Sequence, residues 1–443
     1  MRHRKYFYMI AIITLFACLF SEKQILRAQE RESLTEALVL ELAEENNPIL
    51  AAEAERVNQA QARYLGSKSA QKPQLTASLT YQQLGEEPRY PVIPTGGEAI
   101  AGFEKTYRAA LSLDYLIYSS GAVENSVRSQ KLALEGAKAQ ETRVSQTVES
   151  NVLASYYNLQ RARAKLAVAE DVLDLTKEHL KQVESFYHHG VVAKNEVLRI
   201  RVDVSEAELN RIKTANGVDV AWSALERAVG VSLHSQYALP DPDQSRPDVP
   251  VIEDPFSLAL EIRPELQALD HAVQSSLSLS KAAAAQSKPQ VILQAESYVA
   301  DNTFFPSEKD DWKISLTALW KFYDGGASQT KAQEAKATAN EFLFRTEDLK
   351  KQINLEVSVA KLNLESALQR ISVAADQVQS AEEDYRMALK RYSSQVGTNI
   401  DVLDARVALT NARTQLVDAI YDTHISKTEL LYAVGLPLST AEE

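Results

Sequence analysis

The chain repeats itself, and that repetition limits its fold more than any other feature. Pro48 and Pro73 match Pro264 and Pro289 at an offset of 216 residues. Around them QKPQL (71–75) echoes SKPQV (287–291), and NPIL (47–50) echoes RPEL (263–266). From residue 111 the offset is 205. LSLDYLIYSSGA (111–122) then lies over LTALWKFYDGGA (316–327), NEVLRIRVDVSEAE (195–208) over IDVLDARVALTNAR (400–413), and AVGVSL (228–233) over AVGLPL (433–438). The 11-residue change in offset places one insertion between residues 82 and 106. Whatever one half folds into, the other half folds into as well.

Proline and glycine punctuate both halves. All 14 prolines lie outside 95–239 and 307–436, and five crowd into LPDPDQSRPDVPVIEDP at 239–255. Proline breaks helix interiors, so these two proline-free stretches suit long helices and the crowded segment suits a linker. Gly121 and Gly325-Gly326 open the helices, Gly190 and Gly397 interrupt them, and Gly230 and Gly435 close them. The expected division is a signal segment over 1–28, a first repeat over 29–238, a linker over 239–256 and a second repeat over 257–443. Each repeat runs helix, strand, turn, strand, very long helix, tight turn, second long helix. The first has strands at about 74–84 and 106–118 and long helices at about 121–187 and 194–229. The second has strands at about 290–300 and 311–323 and long helices at about 326–392 and 398–434.

The long helices carry a seam whose steps alternate four and three, the spacing of a coiled-coil face. It runs from Val148 and Val152 through Leu159, Leu173 and Val183 to Tyr187, and again from Ile353 and Val357 through Leu364, Ala374 and Tyr385 to Tyr392. The returning helices pack antiparallel to these.

The strand segments alternate. Leu75, Ala77, Leu79 and Tyr81 face away from Thr76, Ser78, Thr80 and Gln82. Tyr107, Ala109, Leu111, Leu113 and Tyr115 oppose Arg108, Ser112 and Asp114, and Trp312, Ile314, Leu316, Trp320 and Phe322 oppose Lys313, Ser315 and Thr317. A half-buried sheet of a soluble protein alternates in the same way. Strands of 9 to 12 residues exceed the usual five or six, however, and match the length that crosses a membrane at a tilt. Aromatic residues near their ends fit interfacial girdles. Four strands cannot close a barrel, and open edges in lipid leave orphaned backbone groups. Several copies must therefore pool their strands; two, three or four would each close something.

The N-terminus reads as an export signal: RHRK precedes the apolar run YFYMIAIITLFACLF at 6–20, with cleavage after Ala28. A rival reading makes LFAC (15–18) a lipoprotein signal acylated on Cys18, the single cysteine. The first 28 residues hold five of the 48 basic side chains and one of the 60 acidic ones, which leaves the remainder at a net charge of −16. That balance speaks against nucleic-acid binding. No metal-protease pairing, phosphate-cradling loop or serine elbow appears, so no catalytic, cofactor or metal residue is assigned and the chain is read as a non-enzyme. The His188-His189 pair reads as polar turn residues rather than ligands.

With two repeats of this plan in hand, the chain resembles the TolC-type outer-membrane efflux factors. The resemblance rests on VGTNIDVLDARVALTNAR, its fainter copy HGVVAKNEVLRIRVDVSEAE, and the AVG that ends both repeats. It implies a mainly helical fold with membrane strands. Three copies would each give four strands to a 12-stranded barrel in outer-membrane lipid, continuous with an α-helical barrel in the periplasm. It implies a passive exit duct that docks on a periplasmic adaptor and an inner-membrane transporter, in a tripartite efflux pump or a type I secretion system. His189, Gly190 and Val191 in the first turn, and Val396, Gly397 and Thr398 in the second, would touch the adaptor. Asp401 and Asp404 resemble acidic positions at the periplasmic entrance, where threefold symmetry turns each into a ring that favours cations. Arg199 or Arg201 is expected to pair with Asp404 and hold the entrance shut. Gly190 corresponds by offset to Gln395 while Gly397 lies two residues on, so the two turns are expected to differ in shape. Two rivals are a periplasmic coiled-coil adaptor, which would offer one hairpin and small β-domains, and a spacer without a pore.

Overall fold

The structure, a computed structural model, describes residues 32–92, 97–100, 102–234, 236–242, 247–304 and 310–438. The expected signal segment and Cys18 lie outside the described residues. In chain order the elements are β1 (Glu32–Ser33), α1 (Glu36–Asn46), α2 (Pro48–Ser69), β2 (Gln74–Gln83), β3 (Arg89–Val92), β4 (Gly97–Ile100) and β5 (Lys105–Tyr118). They continue with α3 (Ala122–His188), α4 (Lys194–Val229), β6 (Tyr237–Ala238), α5 (Pro255–Ile262) and α6 (Pro264–Ala285). The last are β7 (Gln290–Asp301), β8 (Asp310–Leu319), α7 (Ala327–Ser393) and α8 (Asn399–Val434). The duplication is visible in the lengths: α3 and α7 have 67 residues each, α4 and α8 have 36 each, and α2 and α6 have 22 each. The insertion within the first repeat holds the small β3–β4 hairpin. Among the described residues, no helix is long and apolar enough to cross a membrane.

The chain forms two compact units, each drawing segments from both repeats. One takes the described parts of Ile49–Ser145 and Asp254–Ser358. It holds an antiparallel sheet in the order β2-β5-β7-β8. Its register gathers residues of like kind. Leu75 lies opposite Leu113, Ala77 opposite Leu111, Ala295 opposite Ile314 and Leu293 opposite Leu316, all on one face. That face is bare: Leu79 is 89% and Trp312 70% exposed. The other face pairs Thr76 with Ser112, Ser112 with Glu296, and Glu296 with Lys313. Across it Arg108 Nη2 donates to Glu296 Oε1 at 2.8 Å, and Gln294 Nε2 donates to Asp114 Oδ1 at 2.8 Å. β2 and β8 stand at the sheet's two edges, with no further strand paired to either among the described residues.

The alternation through Trp320 and Phe322 leads one to expect a strand reaching 323, but β8 ends at Leu319. Its partner explains this. Leu319 pairs with Gln290, the first residue of β7, and Pro289 before it has no N–H to extend the ladder. Helices in this unit are tied by a buried charge cluster. Arg263 caps both α5 and α6 and is buried; it holds Glu265 at 2.6 Å and Glu356 at 2.7 Å, while Arg143 Nε holds Glu265 at 3.1 Å.

The second unit takes the described parts of Met1–Pro48, Gln146–Glu253 and Val359–Glu443. It contains the C-terminal part of α3, all of α4 and α8, the C-terminal part of α7, α1, and the parallel pair β1·β6. The seam is its core: Val148, Val152, Leu159, Leu173 and Val183 on α3 are buried, as are Leu364, Ala367, Ala374, Tyr385 and Tyr392 on α7. Tyr187 departs from the expected seam. It is 40% exposed, and Phe186 turns toward Tyr392 in its place, with ring centroids 5.8 Å apart. α4 and α8 end in left-handed glycines, Gly230 (φ 101°) and Gly435 (φ 93°). A Cβ on Gly230 would also meet the Asn46 carbonyl oxygen at 2.6 Å, so that cap demands glycine twice.

Candidate functional site at the hairpin turns

Both hairpins of the second unit reverse in a handful of residues, and both reverse in the same way. In the first, His189 N donates to Ser185 O, Gly190 N to Tyr187 O and Val191 N to Phe186 O. In the second, Ser394 N donates to Lys390 O, Gln395 N to Tyr392 O and Val396 N to Arg391 O. Each bond repeats at an offset of 205. The left-handed residue repeats too, Gly190 at φ 71° and Gln395 at φ 60°. The expectation of unlike turns fails for these bonds; the turns differ in one, since Gly397 N also donates to Arg391 O at 3.1 Å and no matching bond from Val192 to Phe186 is made. Position rather than residue type carries the turn, and Gln395 accepts a backbone that glycine adopts freely. Gly397 serves a different need: a Cβ there would sit 2.9 Å from Arg391 Cβ and 3.1 Å from Tyr392 N. It is glycine for room.

The turns present their predicted residues outward. Val191 and Val396 are exposed, and His189 Nδ1 lies 2.7 Å from Ser185 O. Among the described residues, no group of three or more His, Cys, Asp or Glu is placed to hold a metal ion.

The two helices after the turns start differently. Thr398 and Asp401 form a capping box on α8: Asp401 N donates to Thr398 Oγ1 at 3.2 Å, and Thr398 N donates to Asp401 Oδ2 at 3.0 Å. The Thr398 amide and hydroxyl hold the Asp401 carboxyl below the usual carboxylate range. α4 begins at Ala193 with no side-chain cap. Asp401 thus has a structural role besides any role at an entrance. Asp404, one turn on, is exposed and makes no side-chain hydrogen bond or ion pair within the chain among the described residues. Arg201 instead donates to Glu184 at 2.9 Å, and Arg199 is exposed, its charge favouring the Asp203 carboxylate. Neither arginine meets Asp404 within one chain.

Sequence reasoning missed the polar cluster just behind the turns. His179 on α3 is 4% exposed, and its Nε2 lies 2.8 Å from Oδ1 of Asn399, the buried first residue of α8. Tyr392 stacks edge-on against the imidazole at 5.2 Å, and its hydroxyl donates to Glu196 Oε2 at 3.3 Å. Burial, then the Glu196 charge, pushes the Tyr392 phenol up to about 12. Arg406 Nη1 donates to Thr176 Oγ1 at 2.7 Å, and Arg406 Nη2 lies 3.6 Å from Asp203 Oδ2. Burial raises the Asp203 pKa, with Arg406 pulling the other way. Burial also lowers the pKa of His179. α3, α4, α7 and α8 all contribute. The sequence held one hint: Thr176 is polar in a seam of mostly apolar or small residues, with His179 three residues later on the same face.

Comparison with known proteins gives this geometry a setting. The sequence model of the family described as "Outer membrane efflux protein" matches residues 39–231 and 256–436. The outer membrane protein TolC of Escherichia coli (strain K12) is 22% identical over 305 residues, covering 66% of this chain; the match spans 62% of that relative's length. The solvent efflux pump outer membrane protein SrpC of Pseudomonas putida is 22% identical over 407 residues, 90% of this chain and 84% of that one. Among solved structures, the outer membrane protein VceC of Vibrio cholerae aligns with a TM-score of 0.76 at 18% identity, covering 90% of this chain and 95% of that one.

Proposed function

Since the chain belongs to the outer membrane efflux protein family, we propose that it is a passive exit duct of an efflux system, located in the outer membrane with its helical part in the periplasm. The observation that carries this reading is the sheet β2-β5-β7-β8, with one bare apolar face, one polar face and two edges unpaired among the described residues. In lipid such a sheet is admissible only when its edges are closed. Three copies, each giving four strands, make a 12-stranded barrel whose polar faces line the lumen. No chemistry is asked of the walls. Transport energy comes from an inner-membrane transporter, reached through a periplasmic adaptor that touches His189, Gly190, Val191, Val396, Gly397 and Thr398. The likeness of the two turns favours an adaptor that meets both in the same way.

Asp401 and Asp404 ring the entrance and favour cations. The pairing of Asp404 with Arg199 or Arg201 is then one between neighbouring copies. Asp404→Ala is expected to raise the resting single-channel conductance; an unchanged conductance contradicts the pairing. The duct itself is tested by reconstituting the detergent-extracted protein in planar lipid bilayers. Discrete ionic currents support it. A protein that stays in aqueous buffer and carries no current supports a coiled-coil adaptor or spacer instead.

A further inference from the structure

We propose that copies of this chain meet in the way its own two halves meet. β2 of a second copy pairs with the free edge of β8, Thr80 opposite Thr317 and Tyr81 opposite Leu316, while α2 of that copy seats on α7. The proposal rests on the duct reading above and deepens it by setting the register in which the barrel closes. Its basis is the fidelity of the duplication. An offset of 216 carries β2 onto β7 and α2 onto α6, and an offset of 205 carries β5 onto β8 and α3 onto α7. Together the two offsets turn Gln74↔Asp114 and Leu75↔Leu113 into Gln290↔Leu319 and Val291↔Ala318, and both of these pairs are made. Applied to β5·β7, the seam between the halves, they give a seam between β8 and β2. The chain's own β2 stands at the opposite edge of the sheet, so that β2 belongs to another copy.

Leu111↔Ser297 becomes Leu316 opposite Tyr81, Ser112↔Glu296 becomes Thr317 opposite Thr80, and Leu113↔Ala295 becomes Ala318 opposite Leu79. Opposite residues of a ladder share a face, so this register carries both the apolar and the polar face across the seam. The unfinished end of β8 points the same way. In the first half Tyr115, Leu116 and Tyr118 lie beyond β2, whose first residue pairs with Asp114, and β7 alone holds them. Their counterparts Trp320, Lys321 and Tyr323 lie beyond β7 and have no strand partner among the described residues. Trp320 and Tyr323 are exposed. The offsets give them Ala77, Thr76 and Leu75 of the second copy, so β8 grows to Tyr323 on assembly, the length its alternation calls for.

The helices follow the strands. α6 leads into β7 and α3 follows β5, and the two touch: the hydroxyl oxygens of Ser275 and Ser129 lie 2.9 Å apart, and Gly136 sits against Ala268 and His271. In the same way α2 leads into β2 and α7 follows β8. The counterparts of the two serines are Gln59 and Glu334, an amide that can donate to a carboxylate. Farther along α7, Glu341 and Asp348 are the counterparts of Gly136 and Arg143. They line an open groove of about 770 Å³ with the exposed Phe344. α2 of the second copy covers this groove, and the side chain at Glu341, where α3 has glycine, sets the two helices wider apart than α6 and α3.

The test is disulfide linkage in the full-length, detergent-extracted protein after mild oxidation, read on non-reducing gels. Three double variants place cysteines at predicted partners: Thr80→Cys with Thr317→Cys, Thr76→Cys with Lys321→Cys, and Gln59→Cys with Glu334→Cys. The single substitutions control for Cys18, the one native cysteine. Each double variant is expected to give chains linked in twos and threes. Residues one step along the same face stand about 7–8 Å apart instead of about 5 Å, so Thr80→Cys with Ser315→Cys is expected to link at least about tenfold less. Linkage through Ser315→Cys in preference to Thr317→Cys overturns the register, and strand linkage without the Gln59–Glu334 link overturns the placement of α2. No linkage in any pair overturns the seam, and currents from the same variants in planar bilayers then leave the duct standing. Absence of both linkage and current overturns the two together.

Discussion

Thr398, Asp401, Gly190 and Gln395 are where single side chains decide how the hairpins turn. Thr398→Ala removes the N-cap of α8 and is expected to cost about 1 kcal/mol, read from denaturant unfolding. Asp401 returns the bond to Thr398 N and has a lowered pKa, so its contribution is present above the ordinary carboxylate value and is lost as the pH falls through its folded pKa. The difference in melting temperature between the original and Asp401→Asn should therefore vanish in acid; a difference that persists there contradicts the capping role. Gly190 and Gln395 share a left-handed backbone, and a Cβ on Gly190 would meet nothing within 4 Å. Gly190→Ala should destabilise and Gln395→Gly should stabilise, each by about 1 kcal/mol and for conformational reasons alone. Equal signs for the two would mean that the turns are not equivalent.

At the scale of elements the backbone repeats more faithfully than the residues do. Ser120 and Gly325 are a matched pair, both left-handed, as are Gly121 and Gly326. Glycine, proline and the four-three seam made the helices legible in the sequence, because each acts through local sterics or a fixed period. Strand alternation was legible for the same reason, whereas the end of β8 was not, since it depends on where its partner β7 begins. Duplication misled at Tyr187. Its copy Tyr392 is buried, but Phe186 fills the matching space against it. The His179–Asn399–Arg406–Asp203 cluster escaped the sequence because its members lie on three helices far apart in the chain and only packing brings them together. The charge cluster at Arg263 is of the same kind, joining α3, α6 and α7. Arg263→Ala leaves carboxylates facing a largely buried site without their main partner and is expected to cost about 3 kcal/mol, measured by chemical denaturation. A loss under about 0.5 kcal/mol, the level of an ordinary surface change, would show the cluster to be incidental.

At the scale of the whole molecule, the sheet connects sequence to function. Duplication supplies four long strands, their alternation gives the sheet a bare apolar face, and four strands leave two edges open. Lipid tolerates the face but not the edges. In the proposed duct, other copies of the chain would be the partners whose strands extend the same ladder with the same alternation, so that assembly and membrane insertion would be one event. Native mass spectrometry of the detergent-extracted particle tests that claim most directly. The account predicts the mass of three chains; a particle with the mass of one chain, stable without detergent, would contradict it.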